Sequence, residues 1–103
     1  MVYVTAGSSA EASRLARALV EARLAACVSQ VGPVQSVYHW DGKLEQSEEQ
    51  LLMVKTRKEL FTVLEKKVRE MHSYSVPEIV ALPIIDGSSA YLRWLEDETT
   101  GAA

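Results

Sequence analysis

Residues 71–79 read MHSYSVPEI, which sets His72, Tyr74 and Glu78 within a few positions of one another. An imidazole trades a proton near neutral pH and ligates metal ions. A carboxylate offers a hard oxygen ligand. His72 and Glu78 are therefore candidate metal ligands, with Cu²⁺ favoured by an imidazole donor. The same stretch also suits a plain joint. A histidine closing a helix meets the last carbonyls favourably, and Pro77 pushes Val76 into an extended conformation. Elsewhere, His39 lies between Tyr38 and Trp40 and reads as a cross-strand packing residue. Cys27 reads as a buried, inert thiol. Glu45, Glu48 and Glu49 read as a solvated run able to gather Ca²⁺ or Mg²⁺ weakly. Tyr38, Trp40, Tyr74 and Trp94 are candidate cleft or interface aromatics.

Regular elements must carry these groups. VYVTA (2–6) is β-branched and aromatic, a first strand. Ser8 and Glu11 have capping-box spacing, and Ala12, Leu15, Ala16 and Leu19 recur at helical period, which predicts a helix over 9–25. Strand-type residues fill 26–40, broken by Gly32-Pro33, where a bulge, bend or edge position is expected. Asp41-Gly42 is a two-residue hairpin turn. It pairs Trp40 with Lys43, Tyr38 with Glu45 and Ser36 with Ser47 along a return strand over 43–56. Thr56 and Glu59 repeat the capping-box spacing ahead of a second helix, whose inner stripe is Leu60, Leu64, Val68 and Met71. Residues 78–84 read as a further strand. Gly87-Ser88-Ser89 opens a last helix over 89–98, with Leu92 and Leu95 inward and a tail that frays.

The order β-α-β-β-α-β followed by a helix is an α+β pattern. With right-handed crossovers it gives a ferredoxin-like sandwich, four antiparallel strands with two helices on one face. The 103 residues suit one domain, 1–103, without repeats or linkers.

Composition narrows the partners. A formal charge of −3 without a Lys/Arg run argues against nucleic acid and anionic membrane. No apolar run reaches the ~18 residues of a membrane span. Cys27 is the only cysteine, which suits a reducing, cytoplasmic compartment. The opening MVYVTAGSS lacks the positive start of a signal peptide. AGSSAE holds no arginine to grip a phosphate, and no Ser-His-Asp, C-x-x-C or glycine-rich phosphate loop is visible, so a binding role is expected over catalysis. The aromatic signature of an RNA-recognition sheet is missing.

The hairpin ribbon over 34–49 outruns an average strand and has no core of its own beneath it. Tyr38 and Trp40 on the ribbon, with Tyr91 and Trp94 on the last helix, ask for cover. A closed homo-oligomer supplies it.

EARLAACVSQVGPVQSVYHWDGKLEQSEEQLLMVKT (21–56), MHSYSVPEIVALPI (71–84) and YLRWL (91–95) together resemble the CutA divalent-cation-tolerance family, a similarity running from Val2 to about Glu98. The resemblance implies a ferredoxin-like subunit, a homotrimer built by strand exchange, an association with copper and other divalent metals, and kinship with PII signalling trimers. A PII-like sensor or small-ligand-binding trimer without a metal role is the alternative, although PII proteins carry a long loop where Asp41-Gly42 is tight. The copper ligands implied by the resemblance are a first-strand cysteine and two adjacent histidines. Here those positions hold about Val4, Met71 and His72, and Ser73 replaces a usual proline. Weak Cu²⁺ binding is therefore expected in place of a tight site.

Overall fold

The computed structural model describes residues 1–101. Strand β1 is Val2–Ala6, helix α1 Ser9–Glu21, β2 Cys27–Trp40, β3 Lys43–Lys55, α2 Phe61–Met71, β4 Ile79–Ala81 and α3 Ser89–Thr99; a 3₁₀ turn, Lys58–Leu60, precedes α2. The four strands form one antiparallel sheet in the order β2-β3-β1-β4. Val2, Val4 and Ala6 of β1, with Leu52 and Val54 of β3, meet Ala12, Leu15 and Leu19 of α1 and Leu64 and Val68 of α2 in one buried cluster. The side chains of alternate strand residues share a face, so this cluster fixes the helix-covered side. The other side of the sheet is open.

The turn is as the sequence reads it. Asp41 and Gly42 both have positive φ, 52° and 75°, the geometry that two-residue hairpins require. Trp40 pairs with Lys43, Tyr38 with Glu45 and Ser36 with Ser47. Further back the pairing slips. Val31 opposes Leu51, but Val34 opposes Glu49, so β2 carries one extra residue across Gly32-Pro33. That bulge reverses the alternation of β2 relative to its partner. Val28 and Gln30 lie opposite the core-side residues Val54 and Leu52, whereas Tyr38 and Trp40 share a face with Glu45 and Glu49. The bulge is thus what sends both aromatics to the open side of the sheet. The disrupted pairing lies on β2, an edge strand, where an unpaired Pro33 nitrogen is tolerated.

The structure departs from the sequence expectations at several points. Helix α1 stops at Glu21 and not at 25, because Arg23 turns left-handed at φ 62°. The amides of Leu24 and Ala25 then return to the Leu19 carbonyl, and both side chains tuck into the core. Thr56 is no helix cap. It is buried, and its hydroxyl donates to the Leu24 carbonyl at 2.6 Å, tying the end of β3 to that tuck. Met71 and Leu60 are only half-buried. Finally, β4 has three residues where 78–84 was expected. Leu82 still exchanges hydrogen bonds with the main chain of Met1, and the ladder ends at that pair.

Helix α3 is held at its far end. Arg57 donates to the Thr99 hydroxyl and carbonyl at 2.8 and 2.9 Å, and Arg23 pairs with Glu98 at 2.6 Å. Leu95 is buried, while Leu92 is only half-buried.

Candidate functional site

The loop after α2 is positioned by two groups that lie far away in sequence. The His72 imidazole is fully buried. Its Nε2 lies 2.7 Å from the Thr5 carbonyl, and its Nδ1 accepts the Tyr74 amide at 3.0 Å. A carbonyl only accepts, so Nε2 carries the proton and the ring is neutral. Neither nitrogen keeps a free lone pair for a metal. Glu11 fastens the next residue. Its carboxylate accepts the Ser73 amide at 2.7 Å and the Ser73 hydroxyl at 3.0 Å. Burial pushes the Glu11 carboxyl up, but those two hydrogen bonds and the Gly7 amide outweigh it and leave the group below its ordinary value. The helix N-cap needs only half of the expected capping box: Ser8 Oγ accepts the Glu11 amide at 3.1 Å, and the glutamate side chain is released for the loop.

So anchored, the loop lays Tyr74 over the open face of the sheet. The phenol stacks beside the His72 ring at 4.7 Å between centroids. It passes so close to Gly7 that a Cβ there would sit 3.0 Å from the hydroxyl oxygen. The Tyr74 hydroxyl donates to Glu49 Oε2 at 3.0 Å. Glu49 is only 8% exposed, so it does not belong to a solvated run with Glu45 and Glu48, which are exposed. Partial burial first, and then the carboxylate beside it, push the Tyr74 phenol up to about 12.

Between loop and hairpin lies a cleft of about 300 Å³, lined by Thr5, Tyr38, Trp40, Glu49, Tyr74, Ser75, Val76 and Glu78. Three of the four predicted aromatics and Glu78 therefore meet in one place. Trp94 does not. It stands on α3 against Tyr91, with ring centroids 5.5 Å apart, and has no part in this lining. His72 is behind the wall and not in the cleft. Among the described residues no three His, Cys, Asp or Glu side chains gather as a metal-binding group. Glu49, read from sequence as one of a solvated run, belongs instead to this lining. Its signal was available in the register, since Glu49 and Tyr38 fall on one face of the ribbon. Cys27 is half-buried, with the Lys55 ammonium 3.9 Å from its sulfur. His39 is exposed on the ribbon opposite Leu44.

A larger groove of about 820 Å³ runs between α3 and the 81–84 segment, lined among others by Phe61, Leu82, Ile84, Leu92 and Leu95. No helix among the described residues is long and apolar enough to cross a membrane.

Residues 1–98 match the family described as "CutA1 divalent ion tolerance protein". A divalent-cation tolerance protein CutA of Thermus thermophilus is 46% identical over 99 residues, covering 96% of each chain. Protein CutA, chloroplastic, of Arabidopsis thaliana is 44% identical over 99 residues, but the match spans only 54% of that longer protein. Among solved structures, the Thermus thermophilus Cut A1 protein superposes with a TM-score of 0.93 at 47% identity over 95% of both chains. One described as the periplasmic divalent cation tolerance protein CutA of Archaeoglobus fulgidus superposes with a TM-score of 0.93 at 42% identity, again over 95% of both chains.

Proposed function

Since this chain belongs to the CutA1 divalent ion tolerance family, we propose that it serves divalent-cation tolerance as a non-enzymatic homotrimer of ferredoxin-like subunits, binding cations weakly at the cleft between hairpin and loop. The observation that carries this reading is the charge of the cleft. Its only ionisable charges near neutral pH are Glu49 and Glu78, with no Lys, Arg or His among the lining residues. Carboxylate oxygens suit hard divalent ions. Copper heads the divalent affinity order, so even a poor oxygen site prefers it to Zn²⁺ or Mn²⁺. Without an imidazole or thiol in the lining, that affinity is low.

His72 is a poor Cu²⁺ ligand on this geometry. Ligation requires it to surrender either the Thr5 carbonyl or the Tyr74 amide. We therefore assign it the joint and assign the cation to Glu78 with Glu49. Support for the trimer comes from uncovered apolar surface. Tyr38 is 41% exposed, Trp40 54% and Leu44 69% on the ribbon, and Ile85 is 93% exposed beside the short β4. A neighbour's ribbon laid along such an edge covers both. A cytoplasmic site is the reading that the lone Cys27 favours, and cell fractionation tests it.

Calorimetric titration with Cu²⁺ decides the site. Weak binding that disappears in Glu78→Gln and persists in His72→Gln supports it. Submicromolar affinity, or loss of binding in His72→Gln alone, overturns it. The alternative, a PII-like small-ligand trimer, is favoured by one feature of the same cleft, its three aromatic rings.

A further inference from the structure

The three rings and the buried carboxylate point beyond a metal ion. Tyr38, Trp40 and Tyr74 wall the cleft, and Glu49 lies at its edge, nine-tenths buried. Among the described residues Glu49 has no cation within ion-pair distance; only the neutral Tyr74 hydroxyl answers it. Burying a carboxylate without a counter-charge is costly. The cleft therefore holds an unmet demand for positive charge. A bare divalent ion answers that demand poorly here, because it needs several converging oxygens and most of this lining is carbon. An organic cation answers it well. The faces of Trp and Tyr attract ammonium groups within about 6 Å, and a carboxylate supplies the balancing charge. The volume, about 300 Å³, is at the small end of ordinary ligand pockets.

We propose that this cleft binds a small alkylammonium cation, its charged head held between the aromatic rings and the Glu49 and Glu78 carboxylates. The proposal uses the same cleft as the divalent-cation reading but does not depend on metal binding. Nucleotides and other phosphates are excluded, because the lining offers two negative charges and no cationic side chain. Tyr74 sets the geometry. Its hydroxyl holds one Glu49 oxygen in place, its ring forms a wall, and its backbone is fixed from behind by His72.

The test uses the intact assembly and two probes of similar shape, tetramethylammonium and neutral tert-butanol, followed by NMR shifts of the Tyr74–Glu78 amides. Tetramethylammonium is expected to bind saturably and tert-butanol at least about tenfold more weakly, a difference of about 1.4 kcal/mol. Glu49→Gln keeps a partner for the Tyr74 hydroxyl but removes the charge, and is expected to lose about tenfold in tetramethylammonium affinity. Glu78→Gln, on an exposed residue, is expected to weaken it also. Equal response to both probes reduces the site to an apolar dent and overturns the proposal. So does unchanged affinity in both glutamine variants. If Cu²⁺ binds the cleft and tetramethylammonium does not, the organic cation is overturned while the metal reading stands. The reverse result leaves the proposal and removes the metal. If the assembly ignores both, the proposal fails.

Discussion

Glu11 and Tyr74 carry charge relationships that pH exposes. Glu11 has its folded value lowered, so its contribution is complete above its ordinary value of 4.5 and is lost as pH falls through the lower folded value. Denaturant melts across the acid range should show that loss in the wild type and much less of it in Glu11→Gln. At neutral pH, Glu11→Ala is expected to cost about 2–3 kcal/mol, because the Ser73 amide loses a charged acceptor where little water can replace it. Tyr74 runs the other way. Its phenol is raised from 10 to about 12, so its contribution is whole below 10 and fades as pH climbs through that window. Alkaline titration of tyrosinate absorbance should show one late phenol that Tyr74→Phe removes. These roles were only half legible beforehand. Glu11 announced itself through its spacing from Ser8, but spacing reports a local bond, and the carboxylate's actual partner, Ser73, is distant in sequence. His72 looked like a ligand because residue type says nothing about which lone pairs are already taken.

At the scale of elements, the ribbon is the exposed member. Trp40 ends β2 with more than half its surface uncovered. Trp40→Ala should leave the isolated fold nearly as stable but disrupt assembly, with a cost of about 3–5 kcal/mol for each ring that a neighbour buries; chromatographic size and melting temperature together read the two effects apart. Hairpin, turn and helix stripes were readable because each depends on residues a few positions apart. The end of α1, the role of Thr56 and the length of β4 were not. Arg23 has no glycine-like signature for its left-handed turn. Thr56 is recruited by the Leu24 carbonyl across the fold. The β4 ladder ends at the Leu82–Met1 pair, a point that an apolar run such as EIVALPI conceals.

For the whole molecule, the expectation is a homotrimer. Sedimentation equilibrium at micromolar concentration should give about three times the 11.4 kDa chain mass. A lasting monomer would leave the aromatic ribbon unexplained. The fold's elements and strand pairing were legible almost throughout, whereas the cleft was legible only in its parts. Tyr38, Trp40, Tyr74 and Glu78 could each be named from residue type, but that they meet depends on the chain's path, and Trp94, of the same chemical type, ends up elsewhere.

The extra residue at Gly32-Pro33 works as a phase shift. Before it, β2 answers to the helices; after it, to the cleft. Composition and length are therefore under different constraints in this segment. Replacing one polar residue by another on the ribbon changes one side chain. Removing or adding a single residue between Val31 and Val34 swaps the two faces of every residue from there to Trp40. Relatives that diverge freely along this ribbon should still keep its residue count, and an engineered library that samples insertions there should return folded sheets with empty clefts.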